Sequence, residues 1–168
     1  DKSYRLYING KYVCRGPAGW TVVDTGFHDD LAEDAWPRVL AELGIRFHDI
    51  DQILVTHYHP DHIGAAGWLQ ELSGAPVYLH EPELQQVELF WGTRELQADA
   101  LRDFFGAEGM PAELSGDIGG HHRRQWEIVQ PAPKLTPLPT GSQMRIGADD
   151  YQVLWTPSSI ASLQSSSI

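Results

Sequence analysis

Apolar positions fall in short, strand-like runs that are interspersed with longer, helix-spaced stretches along the chain. Residues 4–8 and 11–14 read as two β-type runs, with Asn9-Gly10 between them as a tight turn because both residues tolerate positive φ. Residues 20–23 predict a third strand that ends at Asp24-Thr25-Gly26. Over residues 30–43 the apolar positions Leu31, Ala35, Val39, Leu40 and Leu43 have the spacing of an amphipathic helix, and Gly44 stops it. Ile53-Leu54-Val55 is a continuous apolar run and predicts a buried strand. Residues 63–72 predict a helix ending at Ser73-Gly74, and residues 76–79 a further short strand. The pattern is helical again from 83 to 105, with Gly92 dividing two helices, and residues 106–120 read as a loop. Four prolines in 131–139 predict an extended connector. Residues 144–146 and 151–155 predict two last strands joined by a turn at 147–150.

Directly after the buried run comes Thr56-His57-Tyr58-His59-Pro60-Asp61-His62, with three histidines and an aspartate inside six residues. A loop there lies at the C-terminal edge of its strand, where ligands of α/β folds usually sit. In an extended loop His57 and His59 point to the same side, so both imidazoles can converge on one ion. Asp61 and His62 open the next helix and can turn toward a second ion. Zinc and similar borderline ions favour this mixture of nitrogen and oxygen. The bland alternative is a surface loop rich in histidine, with Asp61 capping the helix. Four ligand-type side chains immediately behind a buried strand weigh against it.

His57-x-His59-x-Asp61-His62 resembles the metal-binding motif of the metallo-β-lactamase superfamily, and Val22-Val23-Asp24-Thr25-Gly26 resembles that family's upstream strand-end motif. The resemblance covers roughly residues 4–157. It implies an α/β, metallo-β-lactamase-like αββα sandwich, of which this chain supplies the N-terminal part, with a helical insertion at about 83–130. It also implies His57, His59, Asp61 and His62 as metal ligands, with Asp61 as the catalytic carboxylate. Asp24 would orient the ligands rather than simply start a turn. The cofactor would be zinc, one or two ions, with iron or manganese as alternatives. The activity would be hydrolysis of an ester, thioester, lactone or lactam by metal-activated water; an iron-dependent oxygenase of the same superfamily is the rival chemistry.

Of the remaining histidines, His80 ends the strand at 76–79 and is a candidate to line the pocket. His28 reads as a cap or an exposed residue and His48 as a surface residue. His121-His122-Arg123-Arg124 reads as a solvated turn. The insertion could form a lid or substrate wall, although its aromatic residues are more simply explained by packing.

Composition narrows the partners. The chain has 168 residues, which suits one domain, and a net charge of −11, which argues against nucleic acid. Its single cysteine, Cys14, excludes an internal disulfide. No apolar run is long enough to cross a membrane and no signal-peptide pattern opens the chain, so a cytoplasmic protein acting on a small-molecule substrate is expected.

The end of the sequence departs from the family pattern. After Thr156-Pro157 the family expects a turn carrying a further histidine ligand, but no histidine follows His122. Six of the ten serines lie in the last twelve residues, so 158–168 reads as an atypical tail on an incomplete domain at 1–157. Two ligands per ion fall short of the three that catalytic zinc usually takes from protein. An inactive fragment or binding module is therefore the rival from outside enzymology. A homodimer through an open sheet edge or apolar face is a further expectation.

Overall fold

The computed structural model describes residues 3–6, 10–92, 94–154 and 162–165. The expected turn residue Asn9, the end of the first expected strand at 7–8, Trp155 and most of the serine-rich tail lie outside the described residues.

Two sheets form the frame. The first has six strands in chain order: β1 (Ser3–Leu6), β2 (Lys11–Arg15), β3 (Trp20–Val23), β4 (Ile50–Val55), β5 (Val77–His80) and β6 (Leu135–Leu138). β1, β2 and β3 are antiparallel, whereas β3 to β6 run parallel. The second sheet is the antiparallel set β7 (Gln143–Ile146), β8 (Asp149–Leu154) and β9 (Ser162–Ser165). The helices are α1 (Asp30–Glu42), α2 (Pro60–Ile63), α3 (Ala66–Ser73), α4 (Glu81–Trp91), α5 (Arg94–Ala107) and α6 (Ala112–Glu127).

The apolar run in β4 explains why the layers stack. Ile53 and Val55 bury into a cluster with Trp36, Leu40, Leu69, Val77 and Leu79, which includes the helices. Leu54, one residue out of phase, buries with Leu138, Met144, Ile146 and Val153 against the second sheet. A strand covered on both faces has no polar side to show, hence the continuous run. Among the described residues no helix is long and apolar enough to cross a membrane.

Three stretches differ from the sequence reading. Leu31, placed on the buried stripe of α1, is 77% exposed, and Trp36 takes the interior position instead, its indole donating to the Thr25 carbonyl at 3.1 Å. Residues 112–127 form a helix where a loop and a solvated turn were expected. Glycine costs helix propensity, but a Cβ at Gly119 would stand 2.9 Å from the Ala98 carbonyl oxygen, so the bare backbone lets α6 approach α5 closely. His122 is accordingly buried, stacked on Trp91 at 5.7 Å between ring centroids. The proline-rich connector contains β6, paired to β5 with Pro137 opposite Leu79. Proline is tolerated because β6 is an edge strand of the first sheet.

α3 packs closely on the segment before β6. A Cβ at Gly67 would lie 1.8 Å from the Pro131 carbonyl oxygen, with no flexible side chain to give way. Gly67→Ala should cost about 3 kcal/mol, which for a domain of this size lowers the thermal midpoint by about 10 °C; a melt followed by circular dichroism checks it.

Candidate metal centre

The candidate site grows from the parallel ends of β3 and β4. The backbone continues their pairing past the strands, with Asp24 N donating to the Leu54 carbonyl at 2.9 Å. Asp24 then turns into the left-handed region (φ 58), a conformation that aspartate tolerates better than most residues. Thr25 N and Oγ1 both donate to the His62 carbonyl at 2.8 Å, and Ala65 N donates to the Gly26 carbonyl at 2.8 Å. The two loops are thereby locked together before any ligand-type side chain is considered.

Asp24, 5% exposed, is the hub beneath the histidines. Its Oδ1 accepts from Thr56 N at 2.8 Å, its two oxygens receive Thr56 Oγ1 at 3.0 and 2.9 Å, and Oδ2 accepts from His62 Nδ1 at 2.8 Å. Thr56 Oγ1 also lies 3.0 Å from His57 Nδ1. The inner nitrogens of His57 and His62 are thus engaged, which leaves their outer Nε2 atoms to the loop's open side.

Those outer atoms form two pairs. His57 Nε2 is 3.0 Å from His59 Nδ1, and His62 Nε2 is 3.5 Å from Asp61 Oδ2. Two donors bound to one tetrahedral ion stand roughly 3.3–3.5 Å apart, so each pair has a chelating separation to within about 0.3 Å. The imidazoles of His57 and His62 have centroids 4.0 Å apart, so the pairs adjoin. Among the described residues no three or more histidine, cysteine, aspartate or glutamate side chains converge on one point. The donor set is two adjoining pairs, built from nitrogen and oxygen types that borderline divalent ions accept, with two side chains apiece from this chain.

Electrostatics separates the histidines. Burial, reinforced by the neighbouring His62 and His59, pushes His57 down to about 4, so it stands neutral with a lone pair available. Hydrogen bonding to Asp24 raises His62, against the opposing effect of burial.

The insertion grips the loop from outside. Tyr58 N donates to Glu83 Oε2 at 3.2 Å, and the Tyr58 carbonyl accepts the Trp91 indole N–H at 2.8 Å. The Tyr58 ring stacks on Phe90 at 5.0 Å, and Trp126 Nε1 in turn donates to the Trp91 carbonyl at 3.1 Å. These partners lie 25 to 68 residues from Tyr58 and leave no spacing signal. Thr56 was overlooked although it adjoins His57.

The other histidines have their own partners or are exposed. His80 is buried and pairs with Thr140 Oγ1 at 2.7 Å. A separate apolar cavity of about 340 Å³ is lined by Leu84, Val87, Trp91, Val129 and Leu135 beside Ile63. His28 is neither a cap nor fully exposed: it stacks on Trp68 at 5.4 Å, and its Nδ1 donates to the Gln130 carbonyl. His48 is exposed.

Comparison with known proteins follows the same lines. A family model described as the metallo-beta-lactamase superfamily matches residues 12–156. Hydroxyacylglutathione hydrolase of Albidiferax ferrireducens is 37% identical over 84 residues, 48% of this chain and 29% of that protein. The crystal structure of a metallo-beta-lactamase family protein from Thermus thermophilus superposes with a TM-score of 0.75 at 31% identity, over 96% of this chain and 55% of that one. A beta-lactamase domain protein from Burkholderia ambifaria shares the fold with a TM-score of 0.71 at 23% identity, over 97% and 48%. The chain thus spans about half the length of these structural neighbours, and less of the curated relative.

Proposed function

Given that the chain belongs to the metallo-β-lactamase superfamily, we propose that it is a metal-dependent hydrolase in which His57 and His59 hold one divalent ion and Asp61 and His62 a second. The observation that carries this reading is the pair of chelating separations, 3.0 and 3.5 Å, with the opposite nitrogens of His57 and His62 braced by Thr56 and Asp24. Imidazole ligands are commonly oriented in this way by a hydrogen bond to the second ring nitrogen. Zinc is the first choice for three imidazoles and one carboxylate. When bound, the ions supply Lewis acidity toward a scissile carbonyl and make water a nucleophile near neutral pH.

This chain's residues supply the rest. Asp24 fixes the tautomer of His62 by accepting from Nδ1, which aims Nε2 outward. His57 offers a neutral nitrogen across the physiological range. Asp61, 42% exposed on its side chain, can take a proton from attacking water and deliver it to the leaving group. For substrate we propose a thioester or lactone. A relative named for hydrolysing hydroxyacylglutathione, a thioester, supports the first of these.

Two measurements test the reading together. Elemental analysis after dialysis against zinc should find one to two zinc ions per chain, at the order of magnitude expected for two half-sites. The loaded protein should release thiol from acylglutathione or open a simple lactone, with a chelator abolishing either reaction. Folded protein that retains no metal would sink the ligand assignment. Zinc-loaded protein inert toward thioesters and lactones would sink the substrate assignment.

A further inference from the structure

The apolar cavity beside Ile63 takes no part in the proposed reaction, and none of its lining residues is a proposed metal ligand. On α4 the lining residues are Leu84, Val87, Glu88 and Trp91, the i, i+3, i+4, i+7 positions of one helix face. Val129 and Leu135, on the segment that runs into β6, add to the lining. A helical stripe of this kind normally closes against what it packs on. Here a space of about 340 Å³ remains, and its exposed lining residues are Glu88, Gly92 and Ala132. Two of those three are too small to close the mouth.

The lining selects an occupant. Water finds few hydrogen-bonding partners among apolar side chains, so an apolar group gains by filling the space. Trp91 offers its ring alone, because its N–H is already given to the Tyr58 carbonyl at 2.8 Å. The volume lies at the lower end of the range for small-molecule sites, about 300–1,000 Å³. Among the described residues Glu88 is the charged member of the lining, and its carboxylate meets no cation. An apolar body with a cationic end suits both features. A ligand headed by a carboxylate would instead meet Glu88 and a chain of net charge −11.

We propose that this cavity binds a small amphiphilic amine, with its alkyl chain among Leu84, Val87 and Leu135 and its ammonium group at Glu88. Binding there is independent of whether the histidine pairs hold metal.

The test is calorimetric titration of the full chain with octylammonium and, separately, with octanoate. Octylammonium should bind once per chain with a Kd on the order of 0.1 mM, a strength in keeping with so small a ligand. It should bind about tenfold more tightly than octanoate, because the carboxylate of Glu88 attracts one head group and repels the other. Glu88→Gln, at an exposed position, should fold and shrink that preference at least about fivefold. Val87→Phe fills the space and should weaken octylammonium binding at least about tenfold. Ala132→Phe, at the exposed mouth, replaces it if Val87→Phe does not fold by circular dichroism. Absence of octylammonium binding, or binding undiminished in a folded, filled variant, would overturn the site. Octanoate binding as tightly as octylammonium, or a preference that survives Glu88→Gln, would overturn the choice of a cationic ligand. Dimerisation that Val87→Phe abolishes, with no amine bound, would give the cavity to a second copy and overturn the proposal.

Discussion

His57→Ala/His59→Ala should lower zinc affinity at that pair at least about a hundredfold while leaving the fold intact. Mutating even the outer partners of metal ligands costs about 10–100-fold in affinity, and this double change removes both ligands of one half-site. The fold should survive because the loop is fixed by contacts that neither imidazole makes. Thr25 binds the His62 carbonyl, Ala65 N binds the Gly26 carbonyl, and Trp91 binds the Tyr58 carbonyl. Chelator competition paired with a thermal melt separates the two effects. Unchanged zinc affinity in a folded double variant would place the ion elsewhere.

Asp24→Ala should be the most damaging single change to stability, at about 4 kcal/mol. The carboxylate is 5% exposed and serves Thr56 N, Thr56 Oγ1 and His62 Nδ1. Its removal leaves several part-buried polar groups unpaired, at roughly 1–3 kcal/mol each before relaxation. Alanine would also sit at φ 58, a further strain of about 1 kcal/mol. Asp24→Asn separates these contributions, because asparagine accepts the left-handed backbone and keeps one acceptor oxygen. It should fold with a loss of about 1–2 kcal/mol yet bind zinc about 10–100-fold more weakly. Chemical denaturation and zinc competition on both variants give the comparison. Equal stability losses would mean that the charge, not the backbone or the unpaired donors, dominates.

What the sequence made legible follows from the range of the interactions. The motif histidines are local: six consecutive positions behind an apolar strand specify the cluster whatever surrounds it. Asp24 was legible through the resemblance of residues 22–26 to the family's strand-end motif, since the local pattern by itself is equally that of a turn. The apolar run of β4 announced a strand covered on both sides, and the structure covers it so. The helix at 112–127 was hidden because its three glycines oppose local propensity, and the contact with α5 that explains Gly119 is far away in sequence. β6 was hidden because prolines mask a strand whose partner lies more than fifty residues earlier. The grip of Glu83, Phe90 and Trp91 on Tyr58 was invisible for the same reason.

The chain of contacts from Trp126 to Trp91 to Tyr58 has a consequence for anyone who would rebuild this protein. The insertion cannot be exchanged between relatives as an independent cassette, although it joins the body at two points, after β5 and before β6. A donor segment lacking an indole at the position of Trp91 would leave the Tyr58 carbonyl to water and let the stretch from His57 to His59 drift. A graft that carries the indole pair and the Glu83 carboxylate with it would bring its own grip on the recipient's loop. Loop-swapping libraries on this scaffold should hold those three positions fixed and vary the outward face of α6.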